Sequence, residues 1–221
     1  MSKRLNYQIS EYDCGPTSLL NGLAYVMPRK HIDPEILRYV HLYTLDGLNG
    51  RGEYGKHGTS RLAMSLLSQV LNRYAQVKRR QLYCQTLAVD EIDFSPESPV
   101  VRALELGAAA VLRLYHTVPH YVLLTGLAED GRVLVFDPYY ENPPLCNRMI
   151  RPEHKHPERY NYVVDWACLN RENRGLYSMG PRAERECLLL FPSYGPPAAW
   201  LREEDGLQMS AAAGGKHEAT P

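Results

Sequence analysis

The sequence predicts an α+β fold, in which N-terminal helices pack on an antiparallel sheet. Apolar residues recur at helical spacing through most of residues 14–74, whereas strand-like apolar runs dominate from residue 109 onward. The run over residues 187–191 is continuously apolar, as in a buried strand. Helices that come first and strands that come later indicate the α+β class.

Four helices are predicted from their start signals and apolar spacing. Pro16 suits the first turn of a helix, where its missing N–H would have had no partner. Asp33 and Pro34 form a start with a cap residue followed by proline, and Thr59 or Ser60 can cap the third helix. The predicted helices span residues 14–27, 34–44, 59–74 and 98–107.

Six strands are predicted, over residues 80–87, 110–115, 120–127, 132–137, 160–166 and 186–191. Residues 138–159 are rich in proline, histidine and charge, and we interpret them as an irregular excursion. We therefore predict a single domain over residues 1–208 with an insertion around residues 138–185. The small, polar residues 209–221 are predicted to be a disordered tail.

The composition argues against several classes of partner and site. The chain has 25 basic and 25 acidic residues, so no global field favours nucleic acid or an anionic membrane as a partner. There is no signal-peptide pattern and no apolar run of about 20 residues, as a membrane helix would need. The five cysteines show no paired spacing, which argues against a disulfide scaffold or zinc knuckle. We expect a cytoplasmic protein without cofactor or metal.

Cys14 is the first candidate for chemistry. It stands between a polar, loop-forming run and an apolar helical pattern, so it lies at the expected N-terminus of the first helix. Unpaired N–H groups and the positive end of the helix dipole stabilise a thiolate at such a position. A buried cysteine that merely begins a core helix also fits this position, because free cysteines are often buried.

Three further residues single out Cys14. His120 opens an apolar run, Asp137 closes another, and Gln8 lies six positions before the cysteine. Together with the Gln-(five residues)-Cys-Gly-Pro block, this arrangement resembles the papain-like cysteine peptidases of the C39 type. These enzymes are known for bacteriocin leader processing and have stand-alone relatives. The resemblance covers roughly residues 8–140, and it implies a papain-like fold and a peptide or amide substrate.

The resemblance also implies a role for each of these residues. Thiolate attack on a carbonyl needs a base beside the sulfur, a group that orients the base, and donors for the oxyanion. Cys14 would be the nucleophile, His120 the base that later protonates the leaving group, and Asp137 the group that fixes its tautomer. The side-chain amide of Gln8 and the backbone N–H of Cys14 would donate to the oxyanion.

The hairpin that carries His120 and Asp137 offers an internal test. With a loop over residues 127–130, the two side chains lie directly opposite each other, on one face of the sheet. With Asp130 and Gly131 as a two-residue turn, Asp137 lies opposite Leu124 instead. The offset is then four residues, about 13 Å along the strand, and the pair cannot form. The family resemblance favours the longer loop.

Gly55, Gly58 and Tyr139 are the candidate substrate-binding residues. The two glycines belong to a glycine-rich stretch over residues 46–58, and glycine allows another backbone to approach closely. A surface loop without a binding role fits the same composition equally well.

Other assignments for the histidines, cysteines and acids remain open. A metal site from His116, His120 and Cys146 is conceivable, although nothing in the spacing requires one. Asp165 is an alternative third member of the triad. The thiols outside the triad are interpreted as structural or incidental; they are Cys84, Cys146, Cys168 and Cys187.

The sequence therefore predicts a cysteine-dependent hydrolase, either a peptidase or an amidase. The alternatives are an acyl or dipeptidyl transferase similar to the phytochelatin synthases, and a non-catalytic C39-like binding module. The long glycine-rich loop and the long segment between Asp137 and the final strand depart from the bacteriocin-processing pattern. Neither the natural substrate nor the oligomeric state follows from the sequence.

Overall fold

A computed structural model of the chain describes residues 5–201. The predicted tail of residues 209–221 lies outside the described residues. Within them the chain forms α-helices and one seven-stranded antiparallel sheet, which confirms the predicted α+β class. No helix in this part of the chain is both long and apolar enough to cross a membrane.

The helices begin where the local signals predict. The side chain of Ser60 accepts a hydrogen bond from the backbone N–H of Ala63, and Pro34 occupies the first position of its helix. The third helix is longer than predicted and ends at Lys78; Arg79, which follows it, adopts the left-handed conformation. The helices are α1 (Cys14–Val26), α2 (Pro34–Tyr43), α3 (Arg61–Lys78), α4 (Pro99–Glu105) and α5 (Trp166–Leu169).

The seven strands of the sheet are β1 (Tyr83–Thr86), β2 (Ala109–Tyr115), β3 (Pro119–Leu127), β4 (Val133–Phe136), β5 (Ile150–Pro152), β6 (Tyr162–Val164) and β7 (Cys187–Phe191). Their order in the sheet is β1-β7-β2-β3-β4-β6-β5, and every neighbouring pair is antiparallel. The central pair, β2 and β3, is therefore flanked by the last strand on one side and by β4 on the other.

Two hydrophobic clusters lie on the two faces of this sheet. The cluster that contains Leu23, Leu67 and Leu190 joins α1, α2 and α3 to the sheet. Gly22 lets α1 approach the sheet closely, because a Cβ at this position would lie 2.5 Å from Cδ1 of Leu190 in β7. This close packing fixes α1, and with it Cys14, relative to the strands.

The β3–β4 hairpin has neither of the two registers considered from the sequence. Leu123 pairs with Phe136, and the ladder shifts between Leu124 and Gly126, where a β-bulge inserts one residue. Gly126 has φ of 150°, a conformation that glycine adopts readily. Continuing the register beyond Phe136 places Asp137 opposite Val122, two residues from His120.

The predicted insertion of residues 138–185 is more regular than expected. It contains β5, β6 and α5, and it extends the sheet beyond β4. The prediction of an irregular excursion over residues 138–159 therefore missed β5. The predicted strand over residues 160–166 is also shorter, because Asp165 caps α5 by accepting from the N–H of Ala167.

Candidate active site

Cys14 is the first residue of α1 and is buried, with 6% of its surface exposed. Its backbone N–H belongs to the first turn, which has no intrahelical acceptors. Gly15 is needed beside it, because a Cβ there would lie 2.8 Å from Thr59 Oγ1 and 2.9 Å from Thr59 Cβ. The Cys-Gly-Pro sequence thus lets the helix start pack directly against the segment that precedes α3.

The loop before Cys14 is held by Asp13. Its carboxylate accepts hydrogen bonds from the N–H groups of Ile9 (3.0 Å) and Ser10 (2.8 Å), and from Ser10 Oγ (2.9 Å). Asp13 precedes α1, but its side chain does not cap the helix. The Asp13 side chain therefore leaves the first-turn N–H groups of α1 uncapped.

His120 and Asp137 form a buried pair. Nε2 of His120 lies 2.7 Å from Oδ1 of Asp137. The two-residue offset makes them diagonal neighbours on the same face, within reach of each other's side chains. The predicted contact is present, although the register that produces it is not one of the two that the sequence suggested.

The Cys14 side chain also interacts with the His120 imidazole and contributes to its raised pKa. Because Nε2 faces Asp137, Nδ1 is the ring nitrogen left to face the sulfur. Burial alone would lower the pKa of His120, but the charge of Asp137 and the hydrogen bonds with Asp137 and Cys14 raise that pKa to about 10. The imidazolium form therefore persists at neutral pH and can stabilise a thiolate beside it.

Asp137 is enclosed by donors that the sequence analysis missed. Burial would raise its pKa, but the His120 imidazolium and the hydrogen bonds from His120, Tyr177 and the N–H of Tyr139 hold the pKa below its ordinary value. The Tyr177 hydroxyl donates to Oδ2, and the Tyr139 N–H donates to Oδ1 at 2.8 Å. The side chain of Asn161 bonds both the N–H and the C=O of Asp137, each at 2.8 Å.

Tyr177 is notable because its backbone is strained. It is fully buried and has φ of 58°, in the left-handed region that a bulky residue rarely adopts. Such a conformation costs about 1–3 kcal/mol and often occurs at functional sites. No local pattern distinguishes Tyr177 among the sixteen tyrosines of the sequence, so only the tertiary contact identifies it.

We expect Tyr177→Phe to lower the free energy of unfolding at pH 7 by about 1.5–3 kcal/mol, the usual contribution of a hydrogen bond to a charged group. Because the lowered pKa of Asp137 stabilises the folded state above about pH 4, this stabilisation is lost as the pH falls. Without the hydroxyl, the pKa of Asp137 rises and acid destabilisation begins at a higher pH.

Urea denaturation between pH 3 and pH 8 measures both effects, with Tyr25→Phe as the control. The Tyr25 hydroxyl donates to the neutral carbonyl of Thr125 at 2.9 Å, so its loss should not shift the acid limb. An unchanged acid limb in Tyr177→Phe would contradict the assigned role.

Gln8 lies at the edge of the site. Its backbone N–H donates to the carbonyl oxygen of Pro138 at 2.8 Å, which ties the loop before Cys14 to the residue after Asp137. Nε2 donates to the Ser10 carbonyl oxygen at 2.8 Å, and the buried Oε1 accepts no hydrogen bond from the described residues 5–201. Donation from Gln8 to an oxyanion would use the second hydrogen on Nε2, and this role stays a prediction.

The candidate substrate-binding residues lie in different places. A Cβ on Gly58 would lie 3.8 Å from the carbonyl oxygen of Tyr12, beside the loop that leads to Cys14. Gly55 lies within its own loop, where its N–H bonds the Gly47 carbonyl oxygen at 2.9 Å. The ring of Tyr139 lies 6.4 Å from the His120 ring, centroid to centroid. Their role in substrate binding stays a prediction.

The other four cysteines differ from Cys14. Cys84, Cys168 and Cys187 are buried, and burial raises the pKa of each of these thiols, to about 12 for Cys187. Cys146 is exposed.

His116 lies beside His120, with ring centroids 5.9 Å apart. Within residues 5–201, however, no group of three or more histidine, cysteine or acidic residues is arranged to hold a metal ion.

Asp165, the alternative third member of the triad, caps α5 instead, whereas Asp137 contacts His120.

No model of a known protein family matches the chain, and no curated protein matches it. The functional interpretation therefore rests on the geometry of the site itself.

Proposed function

We propose that the chain is a cysteine-dependent hydrolase of papain-like fold that acts on a peptide or another amide. The observation that carries this proposal is the series Asp137–His120–Cys14, in which Asp137 is hydrogen-bonded to His120 and His120 interacts with the cysteine at the N-terminus of α1. A nucleophile, a base in contact with it and a third group that orients the base are the parts that covalent catalysis requires.

The reaction follows from the positions of these groups. The Cys14 thiolate attacks the substrate carbonyl, and the backbone N–H of Cys14 with the Gln8 amide would stabilise the resulting oxyanion. The His120 imidazolium donates its Nδ1 proton to the leaving amine, the C–N bond breaks and a thioester remains. Neutral His120 then removes a proton from water, which attacks the thioester and releases the acid and the Cys14 thiolate.

We place the protein with the C39-like cysteine peptidases on the resemblance of its sequence motifs. The order Gln8, Cys14, His120 and Asp137 supports this placement, as does the helix start at the cysteine. We also propose a reducing, cytoplasmic location, because all five cysteines are free and thiols persist in a reducing compartment.

Selective alkylation tests the proposal. Cys14 is buried and Cys146 is exposed, so accessibility alone would make Cys146 the faster thiol. We expect Cys14 to react first with limiting iodoacetamide near neutral pH, because the nucleophile in this reaction is the thiolate. Peptide mass mapping at increasing times gives the order of labelling.

Cys14→Ser is the matched control. It should remain folded with little loss of stability, since serine is close in size, and Cys146 should be labelled as before. Faster labelling of Cys146 than of Cys14 in the wild-type protein would contradict the proposal, and so would unfolding of Cys14→Ser.

A further inference from the structure

A cavity of about 260 Å³ adjoins the candidate active site. Its lining includes four tyrosines and one carboxylate; these are Tyr7, Tyr139, Tyr140, Tyr162 and Glu141. No lysine or arginine of residues 5–201 lines it. A cavity of this size is smaller than most drug-sized ligand sites and suits a single side chain.

The cavity is one aromatic ring away from the catalytic base. Tyr139 contacts His120 ring to ring and also donates its N–H to Asp137, so it separates the cavity from the triad. Asn161 lines the cavity as well and brackets the backbone of Asp137. Any group bound in the cavity therefore contacts residues that also hold Asp137 in place.

The carboxylate of Glu141 is incompletely paired. It accepts no hydrogen bond from residues 5–201, and its enclosed Oε2 lies 3.6 Å from Nε2 of His116, too far for a hydrogen bond. The side chain is only 28% exposed. A carboxylate oxygen that is enclosed without a donor is unfavourable, and a cation bound beside it would offset that cost.

The aromatic lining favours the same kind of ligand. The faces of tyrosine rings attract ammonium and guanidinium groups within about 6 Å. Tyr7 and Tyr140 meet edge to face, with centroids 5.3 Å apart, and both line the cavity. The lining combines ring faces with one carboxylate and one histidine, His154, and no lysine or arginine of residues 5–201 competes for the carboxylate, which is the chemistry of a cation site.

The position of the base indicates which part of a substrate reaches this cavity. His120 must protonate the nitrogen that leaves, so the leaving amine lies on the His120 side of the scissile bond. Tyr139 contacts the His120 ring, so a leaving group at His120 lies next to Tyr139 and the cavity that it lines.

We propose that the cavity binds a cationic group, the ammonium of a lysine or the guanidinium of an arginine, on the leaving side of the substrate. Glu141 pairs with the charge and the tyrosines enclose the alkyl stem. The assignment to the leaving side rests on the proposed hydrolase function, whereas the cation preference of the cavity can be measured by itself.

Ligand binding to the ¹⁵N-labelled protein tests the proposal. The probes are Nα-acetyl-lysine methylamide and Nα-acetyl-norleucine methylamide, which differ in the terminal ammonium. We expect the lysine derivative to bind at least about tenfold more tightly, with shifts at the amides of Tyr139 and Glu141, a difference that corresponds to one well-placed charge contact. Glu141→Gln should abolish the difference.

Glu129→Gln is the matched control, because it makes the same charge change at an exposed residue in the β3–β4 loop. Tyr140→Leu, at a residue that is 66% exposed, weakens binding of the lysine derivative several-fold and serves if Glu141→Gln does not fold. Equal binding of both probes, no saturable binding of either, or an unchanged preference in Glu141→Gln would overturn the cation site.

The hydrolase proposal fails by a different measurement. Its test is the labelling order of Cys14 and Cys146 by uncharged iodoacetamide in the wild-type protein, which does not involve the cavity. If the cavity binds the cation but Cys14 is not activated, the assignment of the cavity holds and only its connection to catalysis is lost.

Discussion

His120→Ala is expected to slow the alkylation of Cys14 by roughly 100-fold at pH 6.5. In the wild-type protein the pKa of His120 is raised to about 10, so the imidazolium stays beside the sulfur through the neutral range. Without it, Cys14 has no counter-ion, and an ordinary cysteine with a pKa of about 8.5 is only about 1% thiolate at pH 6.5. Iodoacetamide kinetics with mass mapping measure the rate at Cys14.

The pH dependence of this difference follows from the same raised pKa. Below about pH 8 the wild-type protein retains the imidazolium, so the gap between the two proteins widens as the pH falls. The gap closes as the pH rises toward 10, where His120 loses its proton. His41→Ala removes an exposed histidine on α2 and should leave the profile unchanged. A similar rate in wild type and His120→Ala at pH 6.5 would mean that His120 does not activate Cys14.

Asp137→Ala is expected to lower the free energy of unfolding by about 3–5 kcal/mol at pH 7, the usual cost of removing one partner of a buried charged pair. His120 and Asp137 are both buried, with 6% and 2% of their surfaces exposed. The substitution also leaves the Tyr177 hydroxyl and the Tyr139 N–H without their acceptor. Urea denaturation with linear extrapolation gives the value.

Two further variants separate the contributions to this loss. Asp137→Asn keeps the shape and an acceptor oxygen, so its loss should be smaller than that of Asp137→Ala. Asp130→Ala removes a carboxylate of the β3–β4 loop that is 46% exposed and pairs with Arg132. An exposed pair contributes at most about 1 kcal/mol. If Asp137→Ala were no more destabilising than Asp130→Ala, the buried pair would not have the structural role assigned to it.

The sequence by itself determined the α+β class and the starts of the helices. Pro34 and the Ser60 cap act within one turn of the chain, so their effect is readable without the fold. The same holds for Cys14 at the start of α1. His120 near the start of β3 and Asp137 just after β4 are likewise marked by changes in apolar periodicity.

Only the tertiary structure decided how His120 and Asp137 meet. The bulge at Leu124 and Gly126 adds one residue to β3, which gives an offset of two residues where the sequence suggested zero or four. A bulge depends on pairing with the neighbouring strand, and an isolated glycine is a weak signal for it.

The side chains that surround His120 and Asp137 could not be predicted from the sequence either. Asn161 and Tyr177 reach Asp137 from positions 24 and 40 residues later in the chain. Glu141 and His116 come together across the end of the sheet. Such contacts join residues that are far apart in the chain, and they leave no periodic pattern in the sequence. The helices and strands could therefore be predicted from local signals. The enclosure of Asp137 and the tyrosine-lined cavity depend on tertiary packing alone.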